Sequence, residues 1–280
     1  MSRSKNAQIA VDLFDAAMAP QGYTKDTAWI EIAKLLLTCN VYQNAREGWT
    51  PLYDGCVIFR ESNDFRTNTS TGAPNETVRL GRRLGAYLAT QMGVSADSVC
   101  ATIAAYWRVP GIGHQQPHNL VGHAFRSLCV AYLERFGDPG IAYEEEVSPH
   151  EEFPGFALPG ASTRAKVDIV ARRGSRTVAL FSSKWRYRHD RVEFIEEFNR
   201  YLSAARRSNP NCELYAVTGE FSASRLAKAL DSSKPIAKHG PISATVHFAP
   251  QLVWDGLGVN GKTTELKSLE WLASESYSWK

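Results

Sequence analysis

Apolar residues recur along the first hundred positions at the three-to-four-residue spacing of helices. Ile9, Leu13, Phe14 and Met18 form one stripe; Trp29, Ile32, Ala33, Leu36 and Leu37 form a second behind an Asp26-Thr27 start. The polar stretch Asn44 to Asn75, holding Gly-Trp-Thr-Pro and Asn-Thr-Ser-Thr-Gly-Ala-Pro, predicts loop with one short strand at Cys56 to Phe59. Helical spacing returns from Val78 to Met92 and from Ala96 to Trp107, joined by Gly93-Val94-Ser95. Pro110-Gly111-Ile112-Gly113 breaks the pattern and divides a mainly helical region, 1–110, from a second region, 111–280.

Beyond that break the period switches between helix and strand. A helix is predicted from Leu120 to Phe136, then strands at Ala142–Val147, Ala165–Arg172 and Thr177–Lys184. A helix from Val192 to Arg207 and a strand from Glu213 to Thr218 follow. The order αβββαβ predicts an α/β (α+β) fold, a mixed central sheet with helices on both faces. Ser222–Leu230 adds a helix, Ala244–Phe248 a strand and Glu265–Ala273 a terminal helix. No internal repeat or low-complexity tract interrupts the pattern.

Composition narrows the class without naming a chemistry. At 280 residues and 44% apolar content the chain can bury a core. The net charge of +3 neither demands nor excludes a polyanion, although basic residues gather at 164–191, at Arg79, Arg82 and Arg83, and at Arg206 and Arg207. Met-Ser-Arg-Ser-Lys lacks a signal core and no run approaches the roughly 18 apolar residues of a membrane span, so a cytoplasmic protein with no membrane partner is expected. Five cysteines, scattered and without a C-x-x-C pair, predict buried thiols and neither disulfides nor a zinc site.

Chemistry enters at residues 164–191. Asp168 lies inside one strand pattern and Lys184 ends the next, with only Gly174-Ser175 as the turn between. Such a hairpin brings carboxylate and ammonium together at one end of a sheet. Phosphodiester hydrolysis uses that pair: the carboxylate holds a divalent metal, and the lysine orients or deprotonates water and offsets phosphate charge. An ordinary hairpin with a surface lysine is the plainer reading. Arg188-His189-Asp190-Arg191 follows at a strand end. Arginine pairs with guanine O6 and N7 and a carboxylate accepts from cytosine N4, so this segment suits a short G·C block. A solvated basic turn with Asp190 capping the next helix is its plainer counterpart.

Taken together, Asp168, Ser182-Ser183-Lys184 and Arg188-x-Asp190-Arg191 resemble the CCGG family of Type II restriction endonucleases, which have the PD-(D/E)xK nuclease fold. In that family Ser or Thr replaces the acid before the lysine, and a glutamate on the following helix takes over its metal role. The resemblance implies that Asp168 binds metal, that Ser182 and Lys184 form the altered SxK, and that Arg188, Asp190 and Arg191 contact DNA. It implies Glu197 as the relocated metal ligand, with Glu196 and Glu193 as alternatives. Two departures stand out: Val167 replaces the usual Pro, and Arg126 occupies the place of an upstream helical Glu, leaving Glu134 as the nearest substitute. The implied activity is Mg²⁺-dependent, sequence-specific hydrolysis of double-stranded DNA at a palindrome with a CCGG or CCNGG core, leaving 5′-phosphates and 5′ overhangs. The implied assembly is a homodimer or higher even oligomer, with a cognate methyltransferase acting on the same site without needing to bind.

Rival signals are weaker. Gly256 to Thr263 matches a P-loop pattern, yet only Thr264–Lys280 follows, too little for a nucleotide-binding sheet. Residues 78–107 fit a helix-turn-helix, but the would-be recognition helix Ala96–Trp107 is nearly all apolar. His114, His118 and His123 lack a Cys or second acid at metal-binding spacing and read as a loop near DNA phosphates. Glu144-Glu145-Glu146 and Glu151-Glu152 read as solvated carboxylates, one of them able to approach a metal. A structure-specific repair or junction nuclease, and a non-catalytic helix-turn-helix regulator, remain the alternatives.

Overall fold

The computed structural model describes residues 5–19, 22–40, 50–51, 86–90, 93, 95–97, 99, 116–156, 165–185, 194–220, 226, 242–251 and 266–280. The predicted strand Cys56–Phe59, the break at Pro110, the helix-turn-helix candidate beyond 99, the P-loop-like segment and nearly all of the predicted helix Ser222–Leu230 lie outside them.

Helix α1, Lys5–Met18, buries Ala7, Ala10, Val11, Phe14 and Met18. Leu13, expected in that stripe, is 37% exposed, because it sits one position off the buried face. Helix α2, Trp29–Thr38, buries Ile32, Ala33, Leu35 and Leu36 and leads into a two-residue ladder, β1 Cys39–Asn40 with β2 Thr50–Pro51. Helix α3, Gln116–Phe136, begins four residues before its predicted start. All of 124–133 on it is buried. A helix buried all round needs cover on both sides. The sheet covers one; α1 and α2 cover the other, and all share one apolar cluster.

The predicted αβββαβ order is present. After α3 come β3, Ala142–Val147; a short helix α4, Pro149–Glu152; β4, Val167–Arg173; and β5, Arg176–Lys184. Helix α5, Phe194–Ser208, crosses over to β6, Glu213–Thr218, and β7, Ala244–His247, follows. Glu265–Ala273, expected as one helix, divides into β8, Leu266–Ser268, and α6, Leu269–Glu275. Pairing with β7 holds Leu266–Ser268 extended, and the Ser268 hydroxyl then accepts from the Trp271 N–H at 3.1 Å and starts the helix.

The six strands lie in sequence order, β3-β4-β5 antiparallel and β5-β6-β7-β8 parallel. Arg173 pairs with Arg176, so Gly174-Ser175 is a two-residue hairpin loop, and Gly174 takes the positive φ of 60° that its first position favours. One face packs Ile169, Phe181, Tyr215 and Val246 beneath α3 and α6. The other packs Val170, Leu180 and Leu214 beneath Tyr201, Leu202 and Ala205 of α5. The fold is therefore a mixed α/β sandwich with helices on both faces. Among the described residues no helix is long and apolar enough to cross a membrane. Cys129 and Cys212 are buried and free, and burial pushes both thiols up, Cys212 to about 12.

His247, at the end of β7, is fully buried. Its Nδ1 accepts from the Ala249 N–H at 3.0 Å, so Nε2 carries the proton and donates to the Glu220 carbonyl at 3.1 Å. Burial drives its pKa down to about 3, against the bond to the Glu220 carbonyl. The unfolded chain takes up a proton near the ordinary value of 6.5 while the native state does not, so stability is retained above that pH and falls below it. Urea unfolding at pH 7, 6 and 5 should lose about 1.4 kcal/mol per unit below 6.5 from this group. A His247→Gln variant should flatten that slope; an unchanged slope refutes the assignment.

Candidate active site

Asp168 opens β4 and Lys184 closes β5. Because Ile169 pairs with Phe181, Asp168 faces Ser182 across the hairpin; a one-residue register shift between Ala171 and Arg172 separates this pairing from that of the turn. Lys184 Nζ donates to Asp168 Oδ2 at 2.7 Å, and the Ser183 backbone N–H donates to the same oxygen at 2.9 Å. Oδ1 stays outside this pair of bonds. The lysine side chain is 36% exposed and the aspartate 15%, so the pair is seated in the sheet and reachable from solvent. Behind it, the Gly219 N–H donates to the Lys184 carbonyl at 3.3 Å, tying β5 to the end of β6.

Strand alternation places Ser182 on the α5 side with Leu180, and Ser183 on the α3 side with Phe181 and Trp185. Both hydroxyls are buried without a hydrogen-bond partner among the described residues. Glu196 and Glu197 fall in the first turns of α5, where the backbone alone is described. Position 197 precedes buried Tyr201 by four and Ala204 by seven, on the face of the helix that meets the sheet; position 196 precedes exposed Arg200 by four. Glu193, Arg188, Asp190 and Arg191 lie outside the described residues, as does His114.

A second charged group adjoins the pair and was largely missed. Arg126 of α3, only 8% exposed, donates from Nε to Glu145 at 3.0 Å and from a terminal nitrogen to Glu146 at 3.1 Å. Its other terminal nitrogen lies 2.9 Å from His123 Nδ1, and the Ser127 hydroxyl donates to Glu145 at 2.6 Å. Glu144 turns the other way, to Arg172 at 2.6 Å. These acids are thus engaged by arginines, not simply solvated. The available signal was the run itself: three consecutive acids on a strand cannot all face one side, and one that turns inward needs a cationic partner. Burial and the Arg126 charge hold the His123 imidazole below its ordinary range, against Glu146, Asp168 and Glu145. Glu134, exposed near the other end of α3 and electrostatically coupled to Tyr143, is not brought to Asp168.

Among the described residues no three His, Cys, Asp or Glu side chains form a ready metal cluster. Comparison with protein-family models, with curated proteins and with solved structures finds no match for this chain.

Proposed function

We propose that the protein is a Mg²⁺-dependent endonuclease of the Type II restriction kind, acting on specific sites in double-stranded DNA. The observation that carries this reading is the Asp168–Lys184 pair, joined at 2.7 Å at an accessible end of the sheet. The site's anionic donors, Asp168 with Glu145 and Glu146 beside it, are hard carboxylate oxygens, and that chemistry fits a hard divalent cation. Asp168 would hold it together with Glu197. When bound, the cation supplies Lewis-acid neutralisation of phosphate charge.

The chain's own residues do the rest. The Ser183 N–H fixes the Asp168 carboxylate, and that carboxylate fixes the Lys184 ammonium. Lys184 orients the water that attacks the phosphorus in line and offsets charge as it grows on the phosphoryl oxygens. Arg188 and Arg191 each contact a guanine and Asp190 the paired cytosines, once per subunit of a homodimer on a CCGG or CCNGG palindrome. Cleavage leaves 5′-phosphates and 5′ overhangs.

Plasmid digestion with Mg²⁺ and mapped ends tests this. Discrete bands ending at one palindrome support the reading; nicking governed by DNA structure favours a repair or junction nuclease. Binding without any cleavage refutes it in favour of a DNA-binding regulator. Within the enzyme, Glu197→Gln should lower cleavage at fixed Mg²⁺ by about 10-fold to 100-fold and raise the Mg²⁺ requirement, in the range typical of a lost metal-site partner. Ser182→Ala should change cleavage little, since its hydroxyl holds no described group. Loss confined to Glu193→Gln or Glu196→Gln would move the ligand along the helix.

A further inference from the structure

Glu146 is the one described non-glycine residue with positive φ, at 56°. The left-handed conformation strains a side-chain-bearing residue, and Asn or Gly would fit it more easily. The strain sits opposite the site. Glu145 pairs with Ile169 and Val147 with Val167, so the interrupted step of the β3–β4 ladder faces Glu146 with Asp168. Ordinary alternation would send Glu145 and Glu146 to opposite faces. The left-handed turn instead brings both carboxylates to the single guanidinium of Arg126.

The two acids are held differently. Glu145 is 10% exposed and is fixed by Arg126 and Ser127, whereas Glu146 is 43% exposed and is held at 3.1 Å by Arg126 and at 3.5 Å by His123. The ladder sets Glu146 against Asp168, and His123, 3.5 Å from Glu146, stands at the same end of the sheet. Glu145 and Glu146 are engaged by Arg126, and Asp168 by Lys184. An independent feature of the α3 side of this strand end is the Ser183 hydroxyl. It is buried, lacks a hydrogen-bond partner among the described residues, lies on the α3 side from which His123 and Arg126 approach, and belongs to the residue whose N–H holds Asp168.

We propose that Glu146 is a second cation-binding carboxylate of this site, presented by its left-handed backbone and parked on Arg126 and His123 until a divalent cation engages it with Asp168. The proposal rests on the metal-dependent reading of Asp168 and adds a ligand from β3. The exchange breaks only the contacts of Glu146 to Arg126 and His123; Arg126 keeps Glu145, so the buried guanidinium is never left without a carboxylate.

Mn²⁺ binding to the full chain without DNA, followed by titration calorimetry, tests this apart from cleavage. The variants are Glu146→Gln, Glu146→Gly, Asp168→Asn and, as a surface control, Glu151→Gln. Glu146→Gly removes the carboxylate and the backbone strain together, so it keeps the test open if Glu146→Gln fails to fold. Both Glu146 variants should weaken Mn²⁺ binding about tenfold or more. Glu151→Gln should leave it unchanged. Wild-type affinity in a folded Glu146 variant, with affinity lost in Asp168→Asn, overturns the Glu146 assignment and leaves the site reading intact. Wild-type affinity in Asp168→Asn as well overturns both.

Discussion

Asp168→Asn and Lys184→Ala are each expected to abolish DNA cleavage while specific binding and folding survive. The pair sits at the mouth of β4 and β5, and neither side chain belongs to the apolar clusters that hold the sheet. In Asp168→Asn the amide oxygen can still accept the Ser183 N–H, so the strand end keeps its anchor, but the charge that holds Lys184, and that would hold the proposed cation, is gone. Lys184→Ala removes the ammonium while Asp168 keeps its backbone bond. Loss of one key electrostatic group of this kind costs about 3–4 kcal/mol of transition-state stabilisation, a factor of about 10² to 10³ in rate. Single-turnover cleavage of a cognate duplex measures the loss, and gel shift in Ca²⁺ measures binding. Turnover near wild type in either variant removes the pair from the chemistry.

Phe181→Ala should be the most damaging single truncation of the described core. Phe181 is fully buried at the centre of the sheet, stacked on Tyr215 at 5.4 Å and met edge-on by Trp279 at 5.7 Å. Trp279 is itself held by its Nε1 donating to the Tyr215 hydroxyl at 2.8 Å, so these neighbours cannot readily close the gap. A cavity that stays open costs the transfer energy and the lost contacts, about 3–5 kcal/mol for Phe to Ala. Leu13→Ala, on the exposed side of α1, is the matched comparison and should cost far less. Denaturant unfolding of both decides it; equal losses would mean that the sheet is not the centre of stability.

The parts of this fold legible in the sequence were those set by local pattern. Apolar runs bounded by Gly174-Ser175 marked β4 and β5, and the hairpin brought Asp168 and Lys184 to one end of the sheet. The one-residue register shift at Ala171/Arg172, which decides that Asp168 opposes Ser182, had no sign in the sequence. Helix α5 was marked by its period and by its place between two strand patterns. What escaped depended on partners distant in sequence. Arg126 meets Glu145 across 19 positions, and nothing local distinguishes that arginine from a solvated one. The left-handed turn at Glu146 is invisible for another reason: its residue type argues against the conformation, which only the surrounding contacts impose. Strand β8 was hidden because three residues are too few to show a period, and their strand character comes from β7.

The outermost strands of the described sheet also bear on how copies of this chain can meet. One edge is β3, with its run of three glutamates; the other is β8, three residues long. A second copy adding antiparallel to β3 would set acid against acid across the join, and β8 offers too little ladder to hold a neighbour. Both margins therefore resist open-ended sheet growth and the fibrous aggregation it leads to. A homodimer of the kind proposed above would then have to join through surfaces other than these two described margins.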